Sequence, residues 1–252
     1  MHVNVILGTN QNACNDAILA DLGRFPVFIY SARRSIKFWL IIVSSPNDRY
    51  LKLCYNMLFY YGNIVCTNWV THIREHLYEN GYGYVWEQQE VAHLEMFVSE
   101  YTDRMKCQHV QHWRTRCSLI SKLQLYVDFN HDYNVAKYIL PVDIFKLRRT
   151  MSNFRSSSHP LMIEKGRHYN IDREARTCPY CETCIENELH LVLQCPLYAS
   201  LRCKYLHDMF VNDVSEASYV QLMSPDNETT VKNLAMFVHG ALKERDRFLE
   251  GK

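Results

Sequence analysis

The stretch from 178 to 195 reads Cys178-Pro-Tyr-Cys181-Glu-Thr-Cys184-Ile-Glu-Asn-Glu-Leu-His190-Leu-Val-Leu-Gln-Cys195. A Cys-x2-Cys pair places two thiolates on one side of a tight turn, and His190 and Cys195 can project inward from a short helix to complete a tetrahedron. Three sulfurs and one imidazole suit zinc, so the spacing predicts a zinc site formed by Cys178, Cys181, His190 and Cys195. Because four protein ligands leave no position for an activated water, such a site is structural, and its binding free energy stabilises the fold.

Two alternatives to this ligand set stay open in the sequence. Cys184 follows Cys181 at the same spacing, so Cys184 can replace Cys181 as the second ligand, although the loop left before His190 is then shorter. The whole cluster can also be a set of buried thiols, with His190 hydrogen-bonded in the core. Outside the cluster, Cys203 and the scattered cysteines are expected to be ordinary buried thiols; the scattered ones are Cys14, Cys54, Cys66, Cys107 and Cys117.

Basic residues are concentrated in the middle of a chain that is close to neutral overall. The 252 residues include 28 Lys or Arg and 27 Asp or Glu, but residues 104–176 hold 14 basic and 6 acidic side chains. The flanking segments are mildly acidic, so this distribution indicates a surface for nucleic-acid phosphates. The predicted contacts lead into the cysteine cluster and are Lys146, Arg148, Arg149, Arg155, Lys165, Arg167, Arg173 and Arg176.

Aromatic side chains beside this basic run can stack on unpaired RNA bases, and Tyr169 and Tyr180 are the candidates. Two other interpretations stay open. The cations can be spread over several helices without forming one face, and some of them can pair with Glu164, Asp172 and Glu174.

Apolar residues recur at helical spacing along most of the chain, which predicts a mainly α fold. Thr67 is expected to be the N-cap of one helix, and residues 82–86, which are rich in aromatics, are expected to form a turn or a short extended piece. Helices are expected between Pro26 and Pro46, over about 48–60, after Thr67 as far as Gly81, over about 91–122, from Pro141 towards Phe154, over 196–210 and over 230–249.

These patterns predict three segments. Residues 1–165 are expected to form a helical connector region, residues 166–207 a small Cys-Cys-His-Cys zinc-knuckle lobe, and residues 208–252 a C-terminal helical tail.

Composition excludes several classes of protein. With 48% hydrophobic and 13% aromatic residues, the chain has the composition of a folded domain and not of a fibrous or disordered one. The longest uninterrupted apolar run, Phe38–Val43, is six residues long, whereas a spanning helix needs roughly 20, so no membrane segment is expected. The first residues lack a basic leader and a long apolar stretch. We therefore expect an intracellular location, in the cytoplasm or the nucleus.

Several of these motifs resemble the C-terminal, post-polymerase region of non-LTR (LINE-like) retrotransposon reverse transcriptases. The most specific likeness is the knuckle with Glu188-x-His190, followed by Cys195-Pro-Leu-Tyr198 and Arg202. Weaker likenesses extend the resemblance over roughly residues 5–207; they are Ser152-Asn-Phe-Arg155, His159, Ile163-Glu-Lys-Gly-Arg167, Leu22-Gly-Arg-Phe-Pro26, Ile36-Lys-Phe-Trp39, Leu53-Cys-Tyr-Asn-Met57 and Gly83-Tyr-Val-Trp86.

The resemblance implies a tail that holds template RNA or target DNA beside a reverse transcriptase polymerase domain, with structural zinc as its cofactor. The sequence does not contain the paired aspartates of a polymerase palm, since Tyr126-Val-Asp128-Phe supplies only one. Pro225-Asp226 and Glu250-Gly-Lys252 match a restriction-like nuclease motif, but they bracket one predicted helix with no strands to bring the carboxylates together. We therefore expect a non-catalytic nucleic-acid-binding tail. The alternative is a zinc-stabilised helical scaffold or protein-interaction element without nucleic-acid binding.

Overall fold

The computed structural model describes residues 7–64, 67–206 and 214–251. In these ranges the chain forms helices and turns and contains no β-strand, which confirms the predicted mainly α fold. None of the helices in the same ranges combines the length and the apolar character needed to cross a membrane.

The α-helices are numbered in chain order. The first seven are α1 (Asn15–Asp21), α2 (Val27–Val43), α3 (Tyr50–Ile64), α4 (Trp69–Glu79), α5 (Gly83–Gln88), α6 (Leu94–Leu119) and α7 (Tyr126–Phe129). They are followed by α8 (Phe145–Arg155), α9 (Met162–His168), α10 (Ala199–Tyr205), α11 (Glu216–Met223) and α12 (Glu228–Glu250). Short 3-10 turns cover Ser121–Leu123, Arg173–Ala175 and Pro196–Tyr198, and a π-helical turn covers His190–Gln194.

The chain divides into two compact units. Unit 1 combines Met1–Arg24 with His112–Lys252, and unit 2 is Phe25–Gln111. Unit 2 therefore interrupts unit 1 in the sequence, and α6 contributes residues to both. This division differs from the predicted segments 1–165, 166–207 and 208–252, because the first 24 residues belong to the same unit as the knuckle and the C-terminal helix.

An apolar core holds unit 2 together. Its first helix, α2, follows Pro26 and buries Ile29, Ile36, Trp39 and Leu40 at the predicted three- and four-residue spacing. The ring of Trp39 stacks on Trp86 with centroids 5.6 Å apart. The N-terminal part of α6 completes the core with its apolar face, namely Phe97, Val98, Tyr101 and Met105.

Two local predictions in unit 2 are wrong. Asn68, and not Thr67, is the N-cap of α4: Asn68 Oδ1 accepts hydrogen bonds from the Val70 and Thr71 N–H groups at 2.8 and 3.3 Å. Thr71 Oγ1 accepts a hydrogen bond from the Asn68 N–H in return, which completes a capping box. In the aromatic-rich residues 82–86, Tyr82 is the N-cap of the short helix α5 and the other four belong to it, with Val85 and Trp86 reaching the core from one helical turn.

In unit 1, α8 packs against the long C-terminal helix α12. The predicted helix over 230–249 is confirmed as α12, which Asn227 caps by accepting a hydrogen bond from the Thr229 N–H at 2.7 Å. Two other predicted helices differ in their bounds. α8 begins at Phe145 and not at Pro141, and the helix expected over 196–210 is a 3-10 turn followed by α10, while residues 207–210 lie outside the described residues.

A buried ion pair joins the N-terminal segment to the rest of unit 1. Arg155 Nε and Nη2 each donate to the Asp21 carboxylate at 3.0 Å, and the two side chains are 4% and 3% exposed. Arg155 Nη1 donates to the Met223 carbonyl at 2.6 Å. The same carboxylate accepts hydrogen bonds from Tyr126, Asn130 and Tyr138. Every guanidinium nitrogen is bonded, as a buried charge requires.

Candidate metal centre and cationic cavities

Backbone hydrogen bonds close the cysteine turn. The Cys178 N–H donates to the Cys184 carbonyl at 2.8 Å, and the Glu182 N–H donates to the Cys178 carbonyl at 2.9 Å. Glu182 has a φ of 57°, the left-handed conformation found in tight turns. An isolated bridge between Thr177 and Ile185 lies at the base of the turn. These backbone contacts hold Cys178 and Cys181 in one tight turn.

His190 and Cys195 come from the π-helical turn. The Cys195 N–H donates to the His190 carbonyl at 2.8 Å, which closes an i to i+5 ring. Such turns are rare and occur frequently at functional sites. Both residues are buried, so the imidazole and the thiol lie in the interior beside the cysteine turn.

The ligand atoms of Cys178, Cys181 and His190 lie within 4.8 Å of one another and can hold a metal ion. Cys181 Sγ is 3.5 Å from His190 Nε2, and Cys195 Sγ is 3.8 Å from Cys178 Sγ. On the far side of the imidazole, His190 Nδ1 is 3.2 Å from Gln194 Oε1. A proton on Nδ1 completes that hydrogen bond and leaves the Nε2 lone pair free as a ligand.

A hydrogen bond joins the thiols of Cys178 and Cys195. Their hydrogen bond lowers the pKa of Cys178 to about 3 and raises the pKa of Cys195 above its ordinary value. Burial favours the neutral His190 ring, but hydrogen bonds to Cys178 and Gln194 give it a net raised pKa. The lowered pKa favours the thiolate of Cys178, which is the form of cysteine that binds metal ions.

Cys184 does not belong to this group of ligand atoms. Its thiol is exposed, and its backbone carbonyl is the part that takes part in the turn. The structure thus favours Cys181 over Cys184. The prediction of buried thiols is confirmed for Cys117 and wrong for Cys107 and Cys203, which are exposed; Cys66 lies outside the described residues.

A second buried ion pair fixes the knuckle to α12. Arg245 Nε and Nη2 donate to the two oxygens of Glu186 at 2.6 and 2.9 Å, and the two side chains are 4% and 2% exposed. The Met162 N–H donates to Glu186 Oε2 at 2.7 Å. Arg202 Nη2 donates to the carbonyl of Cys195 at 2.6 Å. Glu186 and Arg245 were missed in the sequence because 59 residues separate them.

Five of the predicted nucleic-acid contacts line two adjoining cavities of unit 1. A cavity of about 270 Å³ is lined by Arg155, Arg167, Arg173 and Arg176, and one of about 580 Å³ by Lys165 and Arg167. Lys122 lines both cavities and His168 lines the larger one. Sequence reasoning missed these two; Lys122 lies more than 40 residues before the others in the chain, so no local pattern connects it with them.

The carboxylates of these cavities are already paired. Glu164 accepts a hydrogen bond from Arg167 at 3.0 Å, and Glu188 accepts one from His159 at 2.8 Å. Burial opposes ionisation of Glu188, but the charge and hydrogen bond of His159 outweigh it and lower its pKa. Positive charge is therefore left over: in the part of the chain that the structure describes, no carboxylate lies within ion-pair distance of the cavity residues Lys122, Lys165 and Arg173.

The remaining predicted contacts are not part of this excess of charge. Arg155 lines the smaller cavity, but as a phosphate contact it is a wrong prediction, because its buried guanidinium is bonded to Asp21 and the Met223 carbonyl and has no nitrogen left for phosphate. Lys146, Arg148 and Arg149 lie on α8 and line neither cavity. Arg148 is partly used internally, since its Nη1 donates to the Val142 carbonyl at 3.2 Å.

The two candidate stacking residues differ in their surroundings. Tyr169, which follows α9, is 67% exposed. Tyr180 is less exposed, and its ring packs edge-on against Phe248 with centroids 5.2 Å apart. Tyr169 is therefore the better placed of the two to stack on a base.

Compared with protein-family models, curated proteins and solved structures, the chain matches none of them.

Proposed function

We propose that this protein is a non-catalytic nucleic-acid-binding module whose fold a structural zinc ion stabilises. The observation that supports this most is the pair of adjoining cavities in unit 1, where Lys122, Lys165 and Arg173 add positive charge while the lining carboxylates Glu164 and Glu188 are already paired. Phosphate groups are the ligands that such an excess of positive charge attracts.

Three thiols and one imidazole are a donor set that suits zinc, and two of the separations between them support this choice. Cys195 is not among the three residues whose ligand atoms all lie within 4.8 Å of one another. With Zn–S bonds of about 2.3 Å and Zn–N bonds of about 2.0 Å, a tetrahedral site separates two sulfurs by about 3.8 Å and a sulfur and a nitrogen by about 3.5 Å. The separations are 3.8 Å for Cys178 and Cys195 and 3.5 Å for Cys181 and His190. The hydrogen bond of Gln194 to the imidazole adds the outer contact that zinc-bound histidines usually have. In this proposal Cys195 is the fourth ligand.

The zinc proposal is tested with two substitutions three residues apart. Cys181→Ser removes a ligand, and we expect the purified protein to lose stoichiometric zinc, measured by mass spectrometry under native conditions and by a chromogenic chelator. Cys184→Ser changes an exposed thiol in the same turn and serves as the matched control. Full zinc in Cys181→Ser together with loss of zinc in Cys184→Ser would reverse the ligand assignment.

The cations chosen to test the proposal are those that line the cavities, and the controls are cations that do not. Lys165 and Arg173 are exposed and line the cavities, whereas Lys146 and Arg149 are also exposed but lie on α8 and line neither cavity. Arg167 is a poor test residue because its guanidinium also bonds Glu164 and Ser121. Tyr169 lies four residues after Lys165 and can stack on an unpaired base next to a bound phosphate.

The binding proposal is tested by fluorescence anisotropy with a labelled structured RNA over a salt series. We expect affinity to fall linearly on a logarithmic salt scale. The double variant Lys165→Glu with Arg173→Glu should bind at least tenfold more weakly and with a shallower salt slope, since each lost phosphate contact removes about 0.7–0.9 from the slope. The double variant Lys146→Glu with Arg149→Glu changes the charge equally and is the control. If both variants lost the same RNA affinity, the cavities would have no special role and the loss would be a general effect of charge. If the parent protein did not bind RNA even at low salt, the proposal would be overturned.

The resemblance to the post-polymerase region of non-LTR reverse transcriptases supports a more specific role. On that basis we infer that the module holds template RNA or target DNA beside a polymerase domain and performs no chemical step itself. An added polymerase domain of that class should bind the zinc-loaded chain in a pull-down with RNA present.

A second candidate is a scaffold or interaction element in which zinc only stabilises the fold. The large apolar side chains that α3 exposes favour it. The RNA titration separates the two candidates, because a scaffold has no salt-dependent affinity for RNA.

A further inference from the structure

Helix α3 of unit 2 exposes apolar side chains where a surface helix is normally polar. Its inner side is defined by Tyr55, which is buried and donates a hydrogen bond to Gln89 at 2.5 Å. At 100° per residue, the opposite side carries six apolar side chains that are 49–79% exposed. They are Tyr50, Leu53, Met57, Tyr60, Tyr61 and Ile64, and we call them the α3 stripe.

The α3 stripe is nearly symmetric about Met57. Tyr50 and Ile64 lie seven residues before and after it, and Leu53 and Tyr61 lie four residues before and after it. Residues at these intervals share one face of a helix. An antiparallel copy of α3 centred on Met57 therefore places Tyr50 opposite Ile64 of the second copy and Leu53 opposite Tyr61 of the second copy.

The size of the stripe fits a dimer. A large aromatic side chain has roughly 150–250 Å² of surface, so six side chains exposed to this degree offer on the order of 700 Å². A standard stable interface buries about 800 Å² on each partner. The stripe alone thus supplies most of the area that a homodimer needs.

The charge pattern also suits a second copy. Lys52 is the only charged residue of α3, and it lies off the stripe, where its Nζ donates to the Val43 carbonyl at 2.7 Å. A partner therefore needs an uncharged contact face of its own. The α3 stripe of a second copy is such a face, and its symmetry lets two copies pair with each other.

We propose that the α3 stripe is a two-fold symmetric interface at which a second copy of this chain docks with its α3 antiparallel. This inference is independent of nucleic-acid binding, since it concerns unit 2, and the cations of the cavities belong to unit 1.

The test is the molar mass of the full zinc-loaded chain by sedimentation equilibrium between about 1 and 100 μM. We expect a dimer that dissociates on dilution. Leu53→Glu and Tyr61→Lys each place a charge in the apolar interface and should raise the dimer dissociation constant at least about a hundredfold. Both positions are exposed, so the fold should be kept, which circular dichroism checks. Leu140→Glu, at an apolar position 82% exposed outside the stripe, should leave the dimer unchanged.

Combining the two substitutions tests the antiparallel register. In that register each new carboxylate faces a new ammonium of the other copy, so the double variant should recover at least tenfold of the affinity that either single variant loses. A parent protein that is monomeric at every concentration overturns the proposal, as does one that forms open-ended assemblies. A double variant weaker than both single variants overturns the antiparallel arrangement.

Discussion

The buried charges of Arg155 and Asp21 compensate each other, so removing either side chain leaves the other charge buried without its partner. Replacing Arg155 by Ala leaves the Asp21 carboxylate buried beside Tyr126 and Tyr138 without its countercharge. We expect a loss of about 3–5 kcal/mol in the free energy of unfolding, measured by urea denaturation of the zinc-loaded protein. Arg149→Ala, on the same helix but exposed, should change it by less than about 0.5 kcal/mol. Similar losses in both variants would contradict this account of the pair.

His76 gives unit 2 a dependence on pH. Burial lowers its pKa, with a smaller opposing effect from Glu79. The unfolded chain therefore binds a proton that the folded chain resists, so stability is lost as the pH falls through the ordinary histidine pKa of about 6.5 and this loss is absent at higher pH. The difference in unfolding free energy between pH 7.5 and 5.5 should be larger for the parent than for His76→Gln. Since zinc release affects both proteins alike, parallel pH curves would contradict the prediction.

Residue roles could be predicted from the sequence where the chemistry is local. Cys178, Cys181 and His190 lie within 13 residues, and a ligand pattern that short is visible without a structure. The role of Arg155 was not visible, because its partner Asp21 is 134 residues away. A basic residue in a basic run gives no indication of whether a distant carboxylate has already neutralised it.

At the scale of single helices, the start of α4 offers a test of capping. Asn68→Ala removes the oxygen that accepts the Val70 and Thr71 N–H groups, so we expect unit 2 to lose about 1 kcal/mol of stability in thermal or urea denaturation. Thr67→Ala changes the neighbouring residue, which the sequence suggested as the cap, and should have almost no effect. A larger loss for Thr67→Ala would show that the cap is assigned to the wrong residue.

The last helix, α12, depends on one arginine for its attachment to the knuckle. Arg245→Ala leaves Glu186 buried and charged, and we expect the free energy of unfolding to fall by about 3–5 kcal/mol. The Met162 N–H, which donates a hydrogen bond to Glu186, should then exchange faster with solvent. Arg247→Ala is the control, since its ion pair with Glu244 is at the surface and contributes less than about 1 kcal/mol. Unchanged exchange at Met162 in Arg245→Ala would mean that Glu186 is held by other contacts.

Whole helices were predictable where apolar residues repeat over several turns, as in α2, α6 and α12. Shorter elements were not. In α5, Val85 and Trp86 occupy too few turns to show a period, and tertiary contacts with Trp39 determine the helix. The cavities were unpredictable for a related reason, because their lining residues come from separate elements.

For the whole molecule, removal of the metal should act on one unit only. The candidate ligands all belong to unit 1, whereas unit 2 has an apolar core of its own. After treatment with a chelator we expect amide hydrogen exchange in residues 176–195 to become at least about tenfold faster, while the core helices of unit 2 keep their protection. Uniform loss of protection in both units would show that they unfold as one cooperative body.

The division into units could not be predicted because it is discontinuous in sequence. The predicted connector of 165 residues was a reasonable inference from uninterrupted helical patterns, but those patterns report which faces are apolar and not which faces meet. Residues 1–24 and the segment after Gln111 become one unit only through long-range contacts, such as the hydrogen bond from Trp113 Nε1 to the Asp16 carbonyl at 3.0 Å.

This insertion orders events while the chain is being made. Asp21 is translated 134 residues before Arg155, which at typical rates of about 5–20 residues per second is a delay of roughly 7–27 s. All residues of unit 2 are synthesised before Arg155, so unit 2 has time to fold first. During that time the Asp21 carboxylate has no ion-pair partner and stays hydrated. Unit 1 can fold completely only after the segment that follows unit 2 has left the ribosome and packed against residues 1–24.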